Sequence, residues 1–243
     1  MRIDGSVALV TGANRGFGAA ICCALLERGA ATVYAGARDP STVATHGVVP
    51  VQLDVNSPTD IAAAAERCGD VTLLVNNAGI TTGTAALAHD AIEMARLEFD
   101  TNVLGPLAMS RAFAPVLATN GGGAIINVLS VLSWFAMPGT AIYCASKAAS
   151  WSLTNSLRQE LLEQHTQVLA LHVGFMDTDM TAGTDPPKSS PDDVAAQAIN
   201  GLESGAHEVL ADDISRHVRA RLSGELTTLY PALATPAPTP HRG

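Results

Sequence analysis

The chain has 243 residues, 47 % of them hydrophobic and 15 % charged, a balance that supports a sizeable core and excludes a disordered protein. The formal net charge of −9 argues against nucleic acid as a partner and provides no polybasic patch for a membrane surface. No signal peptide or bilayer-spanning apolar run is visible, and the four cysteines lack metal-ligand spacing. We therefore expect a cytoplasmic protein with no membrane segment and no metal site.

Short apolar runs alternate with helical segments along the whole chain. We predict strands at Val7–Val10, Ala31–Ala35, Val48–Leu53, Val71–Val75, Ala124–Leu129, Gln167–Val173 and Glu208–Ala211. We predict helices at Gly16–Arg28, Pro58–Cys68, His89–Leu117, Tyr143–Glu163, Pro191–Glu203 and Asp213–Leu222. The strands are apolar almost throughout, as in strands buried on both faces. This alternation predicts the α/β class, a doubly wound sheet of about seven mostly parallel strands with helices on both faces.

The chain reads as one domain over residues 1–226, without an internal repeat. From residue 227 to residue 243 the sequence turns to proline, alanine and threonine, which predicts a flexible C-terminal tail.

The first strand leads into a glycine-rich loop, residues 11–18, and then into an apolar helix. Its glycines permit a tight turn, and the N-terminus of the helix presents N–H groups and a positive dipole end to a pyrophosphate. Strand, glycine loop and helix in this order predict a dinucleotide site. The loop residues expected to contact the cofactor are Gly12, Asn14, Arg15, Gly16, Phe17 and Gly18.

The end of the second strand bears on the choice between NAD(H) and NADP(H). In dinucleotide folds an acidic residue about 20 positions after the loop binds the adenosine ribose. Here Ala37 stands at that place and Arg38 follows it. Arg38, with Arg15 in the loop, suits a 2′-phosphate, so we predict NADP(H) in preference to NAD(H). A shift of one residue would instead bring the Asp39 carboxylate to the ribose.

Tyr143 and Lys147 lie four residues apart in a predicted helix and therefore share one face. An ammonium beside a phenol favours the phenolate, so we expect Lys147 to lower the pKa of Tyr143 and make it an acid/base group. The spacing alone is a weak signal, because such pairs are common on solvated helix faces.

Taken together, these motifs resemble the short-chain dehydrogenase/reductase family from the first strand to about residue 222. Residues 11–18 are similar to its glycine loop, residues 76–79 match its N-N-A-G motif, and residues 53–55 resemble its acidic turn at the adenine. Four residues fall where the catalytic tetrad of the family lies: Asn102, Ser130, Tyr143 and Lys147. The resemblance implies a single-domain Rossmann-type fold. The further cofactor contacts that it implies are Asp54, Val55, Asn77, Ala78, Gly79, Tyr143, Lys147, Gly174 and Thr178.

The resemblance also implies a separate role for each residue of the tetrad. Tyr143 would exchange a proton with the substrate oxygen, and Lys147 would hold the nicotinamide ribose. Ser130 would stabilise charge on that oxygen, and Asn102 would hold a water of the proton relay. The sequence departs from the family at Val173, where proline is usual. A looser turn beside the nicotinamide is the expected consequence.

Each of these residues also has a purely structural interpretation. Ser130 can cap local backbone, with Ser133 as a nearby competitor. Asn102 can cap a helical turn, and Asp54 can cap a turn at the end of the third strand. His172 reads as a core histidine without a role.

Apolar residues follow the fifth and sixth strands, at the edge where the tetrad would lie. The predicted substrate pocket consists of Ser130, Leu132, Trp134, Met137, Tyr143, Phe175 and Met180. Such walls favour a hydrophobic ketone or secondary alcohol. Residues 179–190 form a short loop that could cover the substrate.

The sequence therefore predicts an NADP(H)-dependent carbonyl reductase or alcohol dehydrogenase acting on a small molecule. Two alternatives stay open: a non-catalytic NADP(H)-binding sensor or subunit, and an enzyme of the same fold that acts on imines. By resemblance, helices 89–117 and 143–163 would pack across a two-fold axis in a homo-oligomer, a tetramer or a dimer.

Overall fold

A computed structural model describes residues 1–234. Its core is one seven-stranded sheet in the order β3-β2-β1-β4-β5-β6-β7, and every pairing in it is parallel. The strands are β1 Val7–Thr11, β2 Thr32–Ala37, β3 Val49–Gln52, β4 Leu73–Asn76, β5 Gly123–Val128, β6 Thr166–His172 and β7 Glu208–Leu210. The predicted doubly wound sheet is therefore confirmed.

Helices cover both faces of the sheet. They are α1 Gly16–Glu27, α2 Pro58–Arg67, α3 Ala91–Phe99, α4 Gly105–Thr119, α5 Ala141–Glu160, α6 Pro191–Glu203, α7 Asp213–Arg221 and the single turn α8 Leu226–Leu229. Strand β1 illustrates why the sheet has two cores: Ala8 and Val10 pack with α1 and α6, whereas Leu9 packs with α2 and α4 on the other side. Successive side chains of a strand point to opposite faces, so a continuous apolar run feeds both cores.

The strand order reverses between β1 and β4, because β2 and β3 lie on one side of β1 and the later strands on the other. At such a switch point the loops at the carboxyl ends of the two strands diverge and leave a crevice. The glycine loop after β1 and the N-N-A-G segment after β4 both lie at this point.

Local signals set several helix ends as predicted. The side chains of Ser57 and Ser190 accept hydrogen bonds from the backbone N–H three residues on, and a proline follows each as the first helical residue. After α1 the chain turns at Gly29, whose φ of +89° is readily adopted only by glycine.

The predicted helix 89–117 is present as a helical segment from Ala91 to Thr119, with one local irregularity. A five-residue π-helical turn, Asp100–Leu104, separates α3 from α4. Inside this turn the amide of Asn102 bonds the backbone of Ile80 twice, accepting from its N–H (2.8 Å) and donating to its carbonyl (2.9 Å). The wider turn directs this buried side chain towards β4, as π-bulges often do at functional sites.

Part of the predicted flexible tail, residues 227–234, has regular backbone structure, and the flexibility of the tail stays a prediction. Helix α8 and a 3₁₀ turn, Pro231–Ala234, order this stretch, and the Tyr230 hydroxyl accepts a hydrogen bond of 2.8 Å from the Ala136 N–H. Residues 235–243 lie outside the described residues.

Across residues 1–234 no helix combines the length and apolar character needed to cross a bilayer. Over the same range the His, Cys, Asp and Glu side chains form no group of three or more that could hold a metal ion. The four cysteines are free thiols, and burial raises the pKa of Cys22 to about 12.

Candidate active site

The glycine loop joins β1 to α1, and its shape explains why glycine is needed. Gly12 and Gly16 have positive φ values of +63° and +51°. A Cβ atom on Gly18 would lie 2.1 Å from the Gly12 carbonyl oxygen, so no larger residue fits. The side chain of Phe17 is buried in the core, which leaves its backbone for a ligand. A cradle of this kind at a helix N-terminus fits a pyrophosphate.

The segment after β4 holds the glycine loop in place. The Thr11 hydroxyl accepts hydrogen bonds from the backbone N–H groups of Asn77 and Ala78, both at 3.0 Å. The Asn77 side-chain amide donates to the carbonyls of Thr11 (2.9 Å) and Gly12 (3.1 Å). The N-N-A-G motif therefore shapes the cofactor loop, a structural role that the prediction of direct cofactor contact did not include.

The groups that discriminate between cofactors lie at the carboxyl end of β2. Arg38 is exposed there, while Ala37 is buried. The Asp39 carboxylate is engaged by the N–H (3.0 Å) and hydroxyl (2.6 Å) of Ser41, which lower its pKa. This local bonding weakens the alternative in which Asp39 binds a ribose. Arg15 extends from the loop to Asp179 at 3.0 Å.

Asp54 follows β3 and acts locally as a turn cap. Its Oδ1 atom accepts from the N–H of Asn56 (2.9 Å), and its own N–H donates to Asp60 Oδ2 (3.0 Å). Val55 is buried against Gly105, where a Cβ atom would lie 3.0 Å from Val55 Cγ2. Contact of Asp54 and Val55 with the adenine stays a prediction.

The tetrad residues come from three separate elements that meet beside the glycine loop. Lys147, on α5, is 6 % exposed and donates to the Val128 carbonyl (3.0 Å) at the end of β5. Gly79 lies where this lysine meets the π turn: a Cβ atom on it would be 3.2 Å from Asn102 Oδ1 and 3.7 Å from Lys147 Nζ. A larger residue at this position would therefore press against the Asn102 side chain.

Tyr143 lies one turn before Lys147, and the Lys147 Nζ is 5.6 Å from the centre of its ring. Burial raises the pKa of Tyr143, and interaction with the Ser130 hydroxyl opposes that rise. The net shift of the Tyr143 pKa is thus upward, and a lowering contribution from Lys147 stays a prediction. The low-dielectric surroundings disfavour the charged phenolate of Tyr143. The Lys147 ammonium donates its hydrogen bond to the Val128 carbonyl.

Ser130 ends β5, and its hydroxyl accepts from the Leu132 N–H (3.1 Å) as the cap of a short 3₁₀ turn. The structural interpretation of Ser130 thus holds, and it leaves the hydroxyl hydrogen for another partner. Ser133 is buried and accepts from the Ser130 N–H at 3.4 Å, so it supports Ser130 and does not replace it.

Asn102 uses its side chain on the protein itself. Besides its two bonds to Ile80, its amide donates to the Ser146 hydroxyl (3.0 Å), and its backbone carbonyl accepts from Ser150 (2.7 Å). A narrow cavity lined in part by Asn102, Lys147 and Ser150 runs beside these groups. A water held there by Asn102 stays a prediction.

Glu98 is a functional candidate that the sequence analysis missed. It lies one turn before Asn102 and is fully buried. Its Oε1 atom accepts from the N–H (2.7 Å) and hydroxyl (2.5 Å) of Thr82, while Oε2 is buried without a partner in the part of the chain that the structure describes. Burial lowers the pKa of Lys147 to about 8, and the charge of Glu98 opposes that shift. The sequence feature that could have revealed Glu98 is its place as an acidic residue on the inward face of a helix.

Trp134 and His172 stack on each other, and His172 contacts the backbone of Ser130. His172 is fully buried, its Nδ1 lies 3.2 Å from the Ser130 carbonyl oxygen, and burial lowers its pKa to about 4, so it is a neutral core histidine as expected. Trp134 stacks on it with ring centres 3.8 Å apart and also contacts Trp151 and Arg219. Trp134 is thus packed against neighbouring side chains but only partly buried, and its contact with a substrate stays a prediction.

The turn after β6 is held at both ends. The Val173 carbonyl accepts from the Val131 N–H (3.0 Å), and the Gly174 N–H donates to the side chain of Asp212, the N-cap of α7. These two bonds therefore oppose the looser turn that we expected from Val173 in place of proline. Thr178 lies against the glycine loop, since a Cβ atom on Gly16 would be 3.3 Å from its methyl group.

The other predicted pocket residues lie near this edge. Leu132, Met137 and Phe175 are half-buried, and Met180 is 49 % exposed on the 3₁₀ turn Asp179–Thr181. The loop 179–190 is closed at its base, where the Ser189 N–H donates to the Phe175 carbonyl at 2.8 Å. Contact of these side chains with a substrate stays a prediction.

Comparison with known proteins agrees with this geometry. Residues 6–189 match the family model described as short chain dehydrogenase. A short chain dehydrogenase from Burkholderia cenocepacia, solved in complex with NADP, is 42 % identical, with a TM-score of 0.91 over 97 % of this chain and 100 % of that one. A 3-oxoacyl-[acyl-carrier-protein] reductase of Vibrio cholerae is 35 % identical over 74 % of this chain and 78 % of its own length.

An NADP-dependent 3-hydroxy acid dehydrogenase of Schizosaccharomyces pombe is 28 % identical over 88 % of this chain and 93 % of its own length. The family match thus extends over the glycine loop, the N-N-A-G segment and all four tetrad positions. The chain belongs to the short chain dehydrogenase family.

Proposed function

We propose that this protein is an NADP(H)-dependent carbonyl reductase that works in reverse as an alcohol dehydrogenase. The observation that carries the proposal is the convergence of Asn102, Lys147 and Gly79 beside a loop that accepts only glycine at position 18. That cradle, together with the N-terminus of α1, fits a dinucleotide. A bound nicotinamide supplies or accepts the hydride, and this chain supplies the proton.

Tyr143 is the proton donor to the carbonyl oxygen during reduction. Burial raises its pKa, so the phenol is fully protonated at neutral pH and ready to donate. Ser130 donates its hydroxyl hydrogen to the same oxygen and stabilises the developing charge. Lys147 binds the nicotinamide ribose, and the cavity beside Asn102 and Ser150 offers a path for the replacement proton.

Glu98 acts through Lys147. Replacing it by Gln removes the negative charge that opposes the effect of burial, so the pKa of Lys147 should fall below about 8. A group with a lower pKa loses its proton at lower pH. We therefore expect the decline of kcat/KM on the alkaline side to begin at lower pH in Glu98→Gln than in the wild type.

Glu93→Gln is the matched control, since Glu93 is an exposed carboxylate on the same helix. A pH profile of Glu98→Gln that coincides with those of Glu93→Gln and the wild type would contradict a link between Glu98 and Lys147.

The preference for NADP(H) rests on Arg15 and Arg38. Both guanidinium groups are exposed beside the cofactor loop, and Asp39 is engaged by Ser41. The NADP in the Burkholderia cenocepacia structure and the name of the Schizosaccharomyces pombe relative also support it.

Replacing Arg38 by Ala removes a charge-assisted bond to the 2′-phosphate. We expect the KM for NADPH to rise roughly tenfold or more, while the KM for NADH stays nearly constant. Steady-state kinetics with both cofactors measure this ratio, and Arg67→Ala on α2 serves as a control for loss of a surface cation. Equal effects of Arg38→Ala on the two cofactors would argue against the assignment.

The substrate proposed is a hydrophobic ketone or the corresponding secondary alcohol. Half-buried Leu132, Met137 and Phe175 support this class. Oxidation of NADPH should be followed with aryl ketones, diketones, steroids, quinones, cyclic imines and, given the named substrates of two relatives, 3-oxo esters. Tight NADPH binding without turnover of any of them would favour a sensor, and turnover of imines alone would favour the imine alternative.

We further propose a cytoplasmic homo-oligomer, a tetramer or a dimer, with one domain over residues 1–226 at its core. The free thiols of four cysteines support a reducing compartment. A broad groove between α2 and α4, whose mixed lining includes Ala108, Ala112 and Leu104, which is 52 % exposed, supports a subunit contact. Light scattering on the purified protein measures the stoichiometry.

A further inference from the structure

The C-terminal segment, residues 212–234, contacts the active-site loops at three points. The Tyr230 hydroxyl accepts a hydrogen bond of 2.8 Å from the Ala136 N–H. Ala136 is an exposed residue in the connection between Ser130 and Tyr143, which we call the substrate loop, residues 131–140. The link spans 94 positions of sequence, so it is a tertiary contact and not a local turn.

The other two contacts come from α7 and its cap. Asp212 accepts from the Gly174 N–H in the turn after β6, and it also caps α7 through the Ser215 N–H (2.8 Å). The Arg219 guanidinium lies 5.7 Å from the centre of the Trp134 ring, at the start of the substrate loop. One segment thus holds the chain on both sides of the proposed substrate crevice.

We propose that Tyr230 is a specificity-determining residue, whose hydroxyl fixes the backbone of the substrate loop at Ala136 and thereby the apolar wall that the adjacent Met137 presents to the substrate. The inference rests on the proposed function, because it assigns a wall of the same site.

Residues 131–134 of the substrate loop are held by the Ser130-capped turn and the bond from Val131 to Val173, whereas its outer part, residues 135–140, has few bonds of its own. It contains Pro138 and then Gly139, whose φ of +83° is a glycine conformation. Its inner bonds are weak or long: Thr140 bonds the Met137 carbonyl at 3.2 Å, and the Met137 N–H reaches the Cys144 sulfur at 3.5 Å. The phenol of Tyr230 is the acceptor that joins the tip of this loop to the rest of the fold. Without it the loop samples more conformations, and a large substrate must order the loop on binding.

The chain offers a matched set of tyrosines for the test. Tyr230→Phe removes only the hydroxyl group and keeps the ring. Tyr34→Phe removes a hydroxyl that bonds Asp70 (3.1 Å) at an exposed site away from the substrate loop, and it is the control. Both variants should be assayed with NADPH and two ketones, one small and one bulky, and their NADPH affinities should be measured by fluorescence.

For Tyr230→Phe we expect the KM of the bulky ketone to rise roughly three- to tenfold, the effect of losing one hydrogen bond. The kcat with the small ketone and the Kd of NADPH should match those of Tyr34→Phe and the wild type. Hydrogen exchange of a peptide covering residues 134–140 should be faster in Tyr230→Phe alone, because the Ala136 N–H loses its acceptor.

Kinetic constants and exchange rates of Tyr230→Phe that equal those of Tyr34→Phe would overturn the inference. Equal losses with both ketones, or a parallel loss of NADPH affinity, would also overturn it, since they indicate general destabilisation. A wild type that reduces no carbonyl compound would refute the proposed function instead. The exchange experiment would still decide whether the Tyr230 hydroxyl holds the loop.

Discussion

Tyr143→Phe is expected to lower kcat by roughly 10²–10⁴-fold, the contribution of a positioned general acid. The variant keeps the aromatic ring beside Lys147 and removes only the hydroxyl that gives up the proton. The cofactor cradle is built from other elements, so the Kd of NADPH should stay nearly unchanged. Steady-state turnover and fluorescence titration of NADPH measure the two quantities separately.

Tyr34→Phe is again the control, because it removes a phenol that serves an exposed bond to Asp70. A Tyr143→Phe protein that turns over at the wild-type rate would refute the assignment of Tyr143 as proton donor. A loss of NADPH affinity as large as the loss of kcat would assign Tyr143 to binding and not to proton transfer.

Gly18→Ala is expected to abolish tight NADPH binding and to lower the melting temperature. The added methyl group would lie 2.1 Å from the Gly12 carbonyl oxygen and 2.9 Å from the Ala13 Cα, both backbone atoms. Backbone cannot move aside as a flexible side chain can, so the loop itself must shift. The N–H groups at the start of α1 would then no longer face a pyrophosphate, and we expect the Kd of NADPH to rise roughly 100-fold or more.

Gly183→Ala is the matched control, since a Cβ atom there meets nothing within 4 Å. Melting curves with and without NADPH report folding and binding together. If Gly18→Ala bound NADPH like Gly183→Ala, the tight loop would not be the cofactor site. If Gly18→Ala proved too unstable to titrate, its melting temperature alone would still test the predicted clash.

The sheet and most helices were predictable because their signals are local. Strands that are covered on both faces are apolar throughout, so a short apolar run indicates a buried strand. The Ser-Pro pairs that begin at positions 57 and 190 indicate helix starts. The tetrad and the glycine loop were also visible, because residue type and order carry the chemistry. These features can be predicted without knowing which distant residues are in contact.

Other features depend on distant contacts and could not be predicted. The π turn at Asp100–Leu104 places Asn102 in bonds to Ile80, and the segment that contains Tyr230 is joined to the distant Ala136. The neighbours of Trp134 also come from distant parts of the chain: they are His172, Trp151 and Arg219. Contacts between residues that are 17 to 85 positions apart cannot be recognised from a local sequence pattern.

The sequence by itself determined the fold, and it predicts the dinucleotide loop and the four proposed tetrad residues, because periodicity and motif order are properties of the chain. The tertiary structure alone decided the electrostatics around Tyr143 and Lys147. Burial raises the pKa of the phenol and lowers that of the ammonium to about 8, and a buried carboxylate, Glu98, acts on both. The physical reason is that desolvation and charge act through space, and the sequence does not reveal how deeply a side chain is buried or which charge lies beside it.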